Sequence, residues 1–292
     1  MVSITKKKPL SGKINRVGWL FILPALAIFI VYLVYPLLQA IMLSFQTKEG
    51  IGLLNYERLL KDKTFHTAIK NTLWVVCVDL FLMLPLALVM AAVLHQKGIK
   101  FKGFWRTLLF VPCTMAAVTY STIFKVLFGQ NGLINTVFTS VGIFNAPYNF
   151  LADTSGARLV LAIAIIWRWS GYNMVLYCTG FSSIDETIYE AAALDGATGL
   201  KSFIHITIPL LKPIILLTVI TSTNGSLQTL DEVWMLTNGG PANSTITISL
   251  YLYNTAFGQL SNFAYASAMG VVLMIAIAIL TGIQKKAGDK YD

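Results

Sequence analysis

The stretch SSIDETIYEAAALDGATGLKSFIHITIPLLKP, residues 182–213, lies between two apolar blocks and has the composition of a docking surface. Ser183, followed three residues later by Glu186, fits a capping-box start for a helix. Glu186 to Leu194 supplies helix formers, including three consecutive alanines from Ala191 to Ala193. Asp195-Gly196 then offers the residue a helix needs where it turns out of its last hydrogen bond. A second helical run passes Phe203 and Ile206 to Pro209 and Pro213, where another apolar span begins. A short, alanine-flattened helix with an acidic tip gains little by facing water alone. The pattern predicts a knob that seats in another protein's groove.

The flanking blocks place this knob at a membrane. Of 292 residues, 56% are hydrophobic and only 12% charged, with a mean hydropathy of +0.69. Soluble domains carry about 25% charged residues, so the chain reads as an all-α integral membrane protein. Six blocks have the length of a span: 17–45, 69–94, 104–128, 157–181, 204–227 and 263–283. The first is too long for a signal-peptide core, and Pro24 and Pro36 predict kinks in it. The expected organisation is a basic N-terminus (1–16), a first span with its outer loop (17–68), a five-span core (69–284) and a tail (285–292).

Loop charges set the orientation. Lys6, Lys7, Lys8, Lys13 and Arg16 precede the first span, and Lys97, Lys100, Lys102 and Arg106 fill the second loop. Lys285, Lys286 and Lys290 end the chain, whereas 129–156 and 231–262 hold no Lys or Arg. The first loop is mixed, with Lys48, Arg58, Lys61 and Lys63 diluted by Glu49, Glu57 and Asp62. Both termini and the 182–203 stretch are therefore expected in the cytoplasm. The net charge of +9 serves the bilayer surface, and no nucleic acid partner is expected.

Reaction chemistry is missing from the sequence. The segment Gly196 to Ser202 has the wrong spacing for a phosphate-binding loop, so the chain is not expected to hydrolyse ATP. His66, His95 and His205 are far apart, and Cys77, Cys113 and Cys178 lie in apolar blocks without metal spacing. Polar residues at membrane depth are the informative ones, because burying them is costly without a partner or an aqueous path. Arg168 stands mid-span between Trp167 and Trp169, with Gly171 and Tyr172 following. Rings that stack on a sugar and donors that bind its hydroxyls make such a group a candidate solute site. The competing reading is structural: Arg168 pairs with Asp79, near the centre of the second span. In the fifth span, Ser222, Ser226 and Thr229 recur at helical spacing as one polar face, extended by Thr218 and Asn224.

Glu190-Ala191-Ala192, Asp195-Gly196-Ala197, Ile206 and Pro209 together resemble the EAA loop of ABC-importer permeases, here about 182–209. Ile208 departs from the leucine more common before that proline. Further matches resemble the carbohydrate-uptake branch of the family, which includes the maltose, glycerol-phosphate and multiple-sugar systems. They are Asn55-Tyr56, Phe65, Asn71-Thr72, Pro112, Asn131 to Asn135, and Leu236-Thr237-Asn238-Gly239-Gly240-Pro241 with Thr245 and Tyr251 to Phe257.

The resemblance implies a type I ABC importer permease fold whose Glu190, Ala191, Ala192, Asp195 and Gly196 couple to the ATPase. It implies a sugar path at Gly171, Ser222, Ser226 and Thr229, to which the residue reading adds Trp167 and Arg168. It also implies a bacterial inner-membrane assembly: a second homologous permease, two ATP-binding subunits and an extracytoplasmic solute-binding protein. No cofactor or metal is expected on this chain, ATP and Mg residing on the partners. Two further readings stay open at the level of residues. One is an acidic sugar, glycerol phosphate or peptide as cargo, since Arg168 lies outside the recognised pattern. The other is an ion-coupled secondary transporter.

Overall fold

The computed structural model describes residues 12–47, 50–96 and 98–289, and the side chains of 12–18 and 289 are outside that description. The basic N-terminal cluster (1–16), Lys48, Glu49, Lys97 and Lys290 thus lie wholly or by their side chains outside the described residues. Among the described residues, four helices are long and apolar enough to cross a membrane: α1 (Trp19–Ser44), α3 (Lys63–His95), α7 (Thr154–Ser182) and α13 (Phe263–Gly288). Two more spans are broken pairs, α4 (Lys102–Thr114) with α5 (Ala117–Leu127), bent by 97°, and α9 (Gly199–Leu210) with α10 (Lys212–Leu227), bent by 70°. Counting each pair as one gives six. Short elements fill the connections: a two-stranded ribbon at Gln46–Thr47 and Gly50–Ile51, α2 (Leu54–Lys61), α6 (Leu133–Ser140), α8 (Glu186–Leu194), α11 (Asp231–Leu236) and α12 (Ile248–Phe257).

Prolines shape the spans. Proline lacks the amide hydrogen, and its ring collides with the carbonyl four residues back. In three helices the chain answers with one wide turn, in which an amide bonds the carbonyl five residues back: Tyr35 to Ile30, Leu84 to Asp79, and Ile208 to Phe203. Pro36, Pro85 and Pro209 each follow such a turn by two residues. Pro24 is accommodated inside α1 without one. The α4–α5 break follows Pro112, with Met115 and Ala116 extended. The α9–α10 break falls at Leu211, between Pro209 and Pro213.

Side chains bury in two apolar clusters. One gathers Phe65, Ala68 and Val75 of α3, Val160, Leu161, Ala164 and Ile165 of α7, and residues of α5, α11, α12 and α13. The other joins Ala87, Ala91 and Leu94 of α3 to Met174, Tyr177, Cys178 and Phe181 of α7 and to Leu211. Between them, α3 offers Asp79 and Met83, and α7 offers Arg168, Trp169 and Asn173. The molecule therefore has a polar waist.

The end carrying 237–247 is held by carboxamides and hydroxyls. Asn71 donates to the carbonyls of Asn243 (2.9 Å) and Ile246 (3.0 Å), and Arg158 to Ser244 O (2.9 Å) and Asn71 Oδ1 (3.0 Å). Asp62 caps α3 through the amides of Thr64 and Phe65 and accepts the hydroxyls of Tyr251 and Tyr265, both at 2.6 Å. Burial pushes the Asp62 carboxyl up, but these donors outweigh it and hold it below the ordinary carboxylate value.

Gly171 belongs to this packing. A Cβ built on it would stand 1.8 Å from the carbonyl oxygen of Leu109, so α7 meets α4 backbone to backbone there. Gly171→Val should therefore fail at assembly before it fails at transport. Expected is a loss of about 1–3 kcal/mol or more from overpacking, read as a lower thermal midpoint and a lower yield of detergent-purified protein.

Candidate functional site

The polar waist encloses a cavity of about 520 Å³, within the range of small-molecule sites. α7 lines it with Ile165, Arg168, Trp169, Tyr172 and Asn173, spaced i, i+3, i+4, i+7 and i+8, a single helical stripe. α10 and the chain after it add Thr221, Ser222, Ser226, Gln228 and Thr229, and α11 adds Asp231 and Glu232. From α3 come Asp79 and Met83, the two ends of its wide turn.

Arg168 is the hub. Its Nη1 contacts Glu232 Oε1 at 3.1 Å, with both side chains nearly buried. Its Nη2 donates to Met115 O at 3.4 Å, in the break between α4 and α5. The guanidinium carbon lies 4.6 Å from the Tyr120 ring centroid and 5.1 Å from that of Trp169, cation–π distances. Trp169 donates its indole N–H to the same Glu232 oxygen at 3.2 Å. Asp79, expected as the alternative partner of Arg168, instead accepts the Ser226 hydroxyl. Arg168 reaches Glu232 because α11 folds back against α7, a tertiary contact that span positions do not reveal.

Of the residues expected on the solute path, Arg168, Ser222, Ser226 and Thr229 share this cavity. Trp167 and Gly171 do not line it. One residue before Arg168, Trp167 is rotated off the stripe and rests against Phe124, ring centroids 5.6 Å apart. Gly171 faces α4. Glu232 was missed, although a signal existed: Asp231-Glu232 opens a loop without Lys or Arg, so its acids need a cation from a span.

The 182–213 stretch forms α8 at the end of the molecule opposite 237–247. Its N-cap is Asp185, which accepts the Thr187 amide at 3.0 Å; the Ser183 hydroxyl serves α7 instead, donating to Gly180 O at 2.7 Å. The expected Ser183–Glu186 box is thus replaced by a charged acceptor, favoured at the positive end of a helix. The Thr187 backbone amide, then its side chain, holds the Asp185 carboxyl below its ordinary value. At the other end Ala197 N bonds Ala192 O (2.8 Å) and Gly196 N bonds Ala193 O (3.1 Å), a Schellman closure with Gly196 at φ +75°. Glu190, Ala191, Asp195 and Gly196 are exposed, whereas Ala192 is buried. Leu194 is 90% exposed at the tip. The Tyr189 hydroxyl meets Thr207 Oγ1 at 3.0 Å, tying α8 to α9.

Residues 64–289 match the family described as binding-protein-dependent transport system inner membrane component. The lactose transport system permease protein of Rhizobium radiobacter is 40% identical over 290 residues, 97% of each chain. The chain belongs to this family. It is a multi-pass membrane permease. The arabinooligosaccharides transport system permease protein of Bacillus subtilis is 30% identical over 281 residues, covering 94% of this permease and 88% of that protein. A crystal structure of a bacterial ABC transporter that imports the acidic polysaccharide alginate superposes with a TM-score of 0.86 at 20% identity, over 95% of this chain and 96% of that one. The fold is that of a type I ABC importer permease.

Arg168→Met would leave Glu232 buried without its cation, a loss of about 3–5 kcal/mol, whereas Arg168→Met with Glu232→Met removes both charges. The double variant should recover most of the thermal stability lost in the single one. Additive losses in a thermal-shift cycle would show that the two side chains do not act as a pair.

Proposed function

We propose that this permease is one transmembrane subunit of an ATP-driven importer for a neutral sugar or short oligosaccharide, delivered by an extracytoplasmic solute-binding protein. The observation that carries the reading is the waist cavity, where Trp169 and Tyr172 stand beside Asn173, Ser222, Ser226 and Thr229. Aromatic faces next to hydroxyl and amide groups suit a sugar ring with its hydroxyls. The names of its relatives, lactose and arabinooligosaccharide permeases, support the same class. An acidic sugar or glycerol phosphate is disfavoured: the guanidinium of Arg168 is engaged by Glu232, and Asp79 and Asp231 also line the space.

In this reading a second permease pairs with the chain, and two ATP-binding subunits, carrying ATP and Mg, sit below the pair, one of them docked on α8. The basic loops support an orientation with α8 and both termini on the cytoplasmic side, in a bacterial inner membrane. The exposed face of α8, with Glu190, Ala191, Asp195 and Gly196 and the apolar tip Leu194, seats in the ATPase; Ala192 packs inward and sets the height of that face. Closure of the ATPase dimer moves α8 as a rigid element, and the Tyr189–Thr207 contact carries the movement to α9.

A Cβ at residue 196 would meet no protein atom within 4 Å, but φ of +75° strains any side chain there, so Glu190→Ala, which leaves that turn intact, is the variant whose defect reports on a partner. Gly196→Asp and Glu190→Ala should insert normally yet lower lactose uptake by cells, and ATPase co-purification, at least tenfold. Wild-type uptake with wild-type co-purification in both variants would sink the coupling assignment.

A further inference from the structure

Residues lining the cavity carry buried polar atoms that have no hydrogen-bond partner among the described residues. Asp79 is 5% exposed and lines the cavity; its Oδ2 accepts the Ser226 hydroxyl, while its Oδ1 is buried with no hydrogen-bond partner among the described residues. Asn173, 3% exposed, spends its amide hydrogens on Met83 Sδ (3.4 Å) and Trp169 O (3.1 Å), and its Oδ1 also lacks a partner. Arg168 Nε is a donor without an acceptor. A buried polar atom left unpaired is destabilising, so such atoms mark where another molecule completes the network. Two unpaired acceptors and one unpaired donor on residues that line one space match the hydroxyls of a sugar, each of which both donates and accepts. Holding Ser226 in place requires only one oxygen of Asp79. The other oxygen bonds none of the described residues.

We propose that Asp79 is the specificity-determining residue of the cavity: seated by Ser226, its free carboxyl oxygen accepts a hydroxyl hydrogen from a neutral sugar. This assignment rests on the sugar-importer reading. The site would then discriminate by hydroxyl position. A group built to receive a hydroxyl is left unpaired by an analogue that lacks it, and such sites reject the analogue strongly, whereas ring-stacking surfaces do not. Asp79 sits at the first residue of the wide turn in α3, so its placement depends on that turn.

The test is a cycle between residue and ligand. Uptake of radiolabelled lactose and its monodeoxy analogues is measured in proteoliposomes holding the complete transporter with its binding protein. Wild type should discriminate against at least one deoxylactose by about 10- to 100-fold in kcat/KM. Asp79→Ala should lower that ratio about tenfold relative to wild type, and Asp79→Asn, which keeps the shape and one acceptor, should lower it part of the way. The binding protein's own preference is common to all variants and cancels in the comparison. If the alanine variant does not assemble, the asparagine variant carries the same reading. An unchanged deoxylactose ratio in the asparagine variant, or no discrimination by wild type, would assign Asp79 a structural role only. Should wild type move no lactose but move maltose, trehalose or an arabinooligosaccharide, the cycle is run with that sugar. Transport of none of the four would overturn the sugar reading itself, and this assignment with it.

Discussion

Arg168 and Glu232 meet at 3.1 Å between two apolar clusters, and this contact adds a charge pair to the apolar packing of α11 on α7. Through it α7 holds α11, and through Met115 O the same guanidinium reaches the α4–α5 break. A guanidinium presents donors in a fixed planar fork, so it can serve several segments at defined angles, which a flexible ammonium does not. The pair is also what allows a polar layer to exist in this protein. With Glu232 close by, Arg168 stays at depth, and the rings of Tyr120 and Trp169 cover the faces it leaves.

At the end of the molecule that carries 237–247, the same problem of satisfying polar groups is solved with amides instead of charges. Asn55, Asn71 and Asn135 each use one carboxamide nitrogen to bridge two backbone carbonyls: Ser44 with Gln46, Asn243 with Ile246, and Gly129 with Tyr148. Irregular chain packed beside apolar helices leaves carbonyls that water cannot reach, and two hydrogens on one nitrogen satisfy two of them at once. These are also asparagines on which the resemblance to carbohydrate-uptake permeases rests. In this chain that pattern is a set of staples, and Asn71 sits directly on the segment following Asn238-Gly239-Gly240-Pro241.

Much of this was legible because it depends on local chemistry. The six apolar blocks, the polar face at 222, 226 and 229, and the helix closed by Gly196 each follow from periodicity or backbone preference. What was not legible depends on tertiary contact. Gly171 and Trp167 sit within four residues of Arg168, yet the helical phase turns one to α4 and the other to Phe124. The stripe at 165, 168, 169, 172 and 173 was present in the sequence, but which stripe faces the cavity is decided by the neighbouring helices. Asp185 outcompetes Ser183 as a cap because the helix begins two residues later than the serine requires. Glu232 lay in a loop, and only its fold-back onto α7 brings it to membrane depth.

The wide turns before Pro36, Pro85 and Pro209 have a consequence for motion. Such a turn is an extra residue held inside a helix, and a regular helix advances about 100° per residue. Removing or relocating the extra residue rotates one half of a span about its own axis relative to the other, without breaking it or tilting it. In α3 the turn separates the half that packs Phe65 to Val75 from the half that packs Ala87 to Leu94, with Asp79 and Met83 at the boundary. The cavity wall therefore sits at the joint between two packed half-helices, where a change in the turn would alter what Asp79 and Met83 show to a solute.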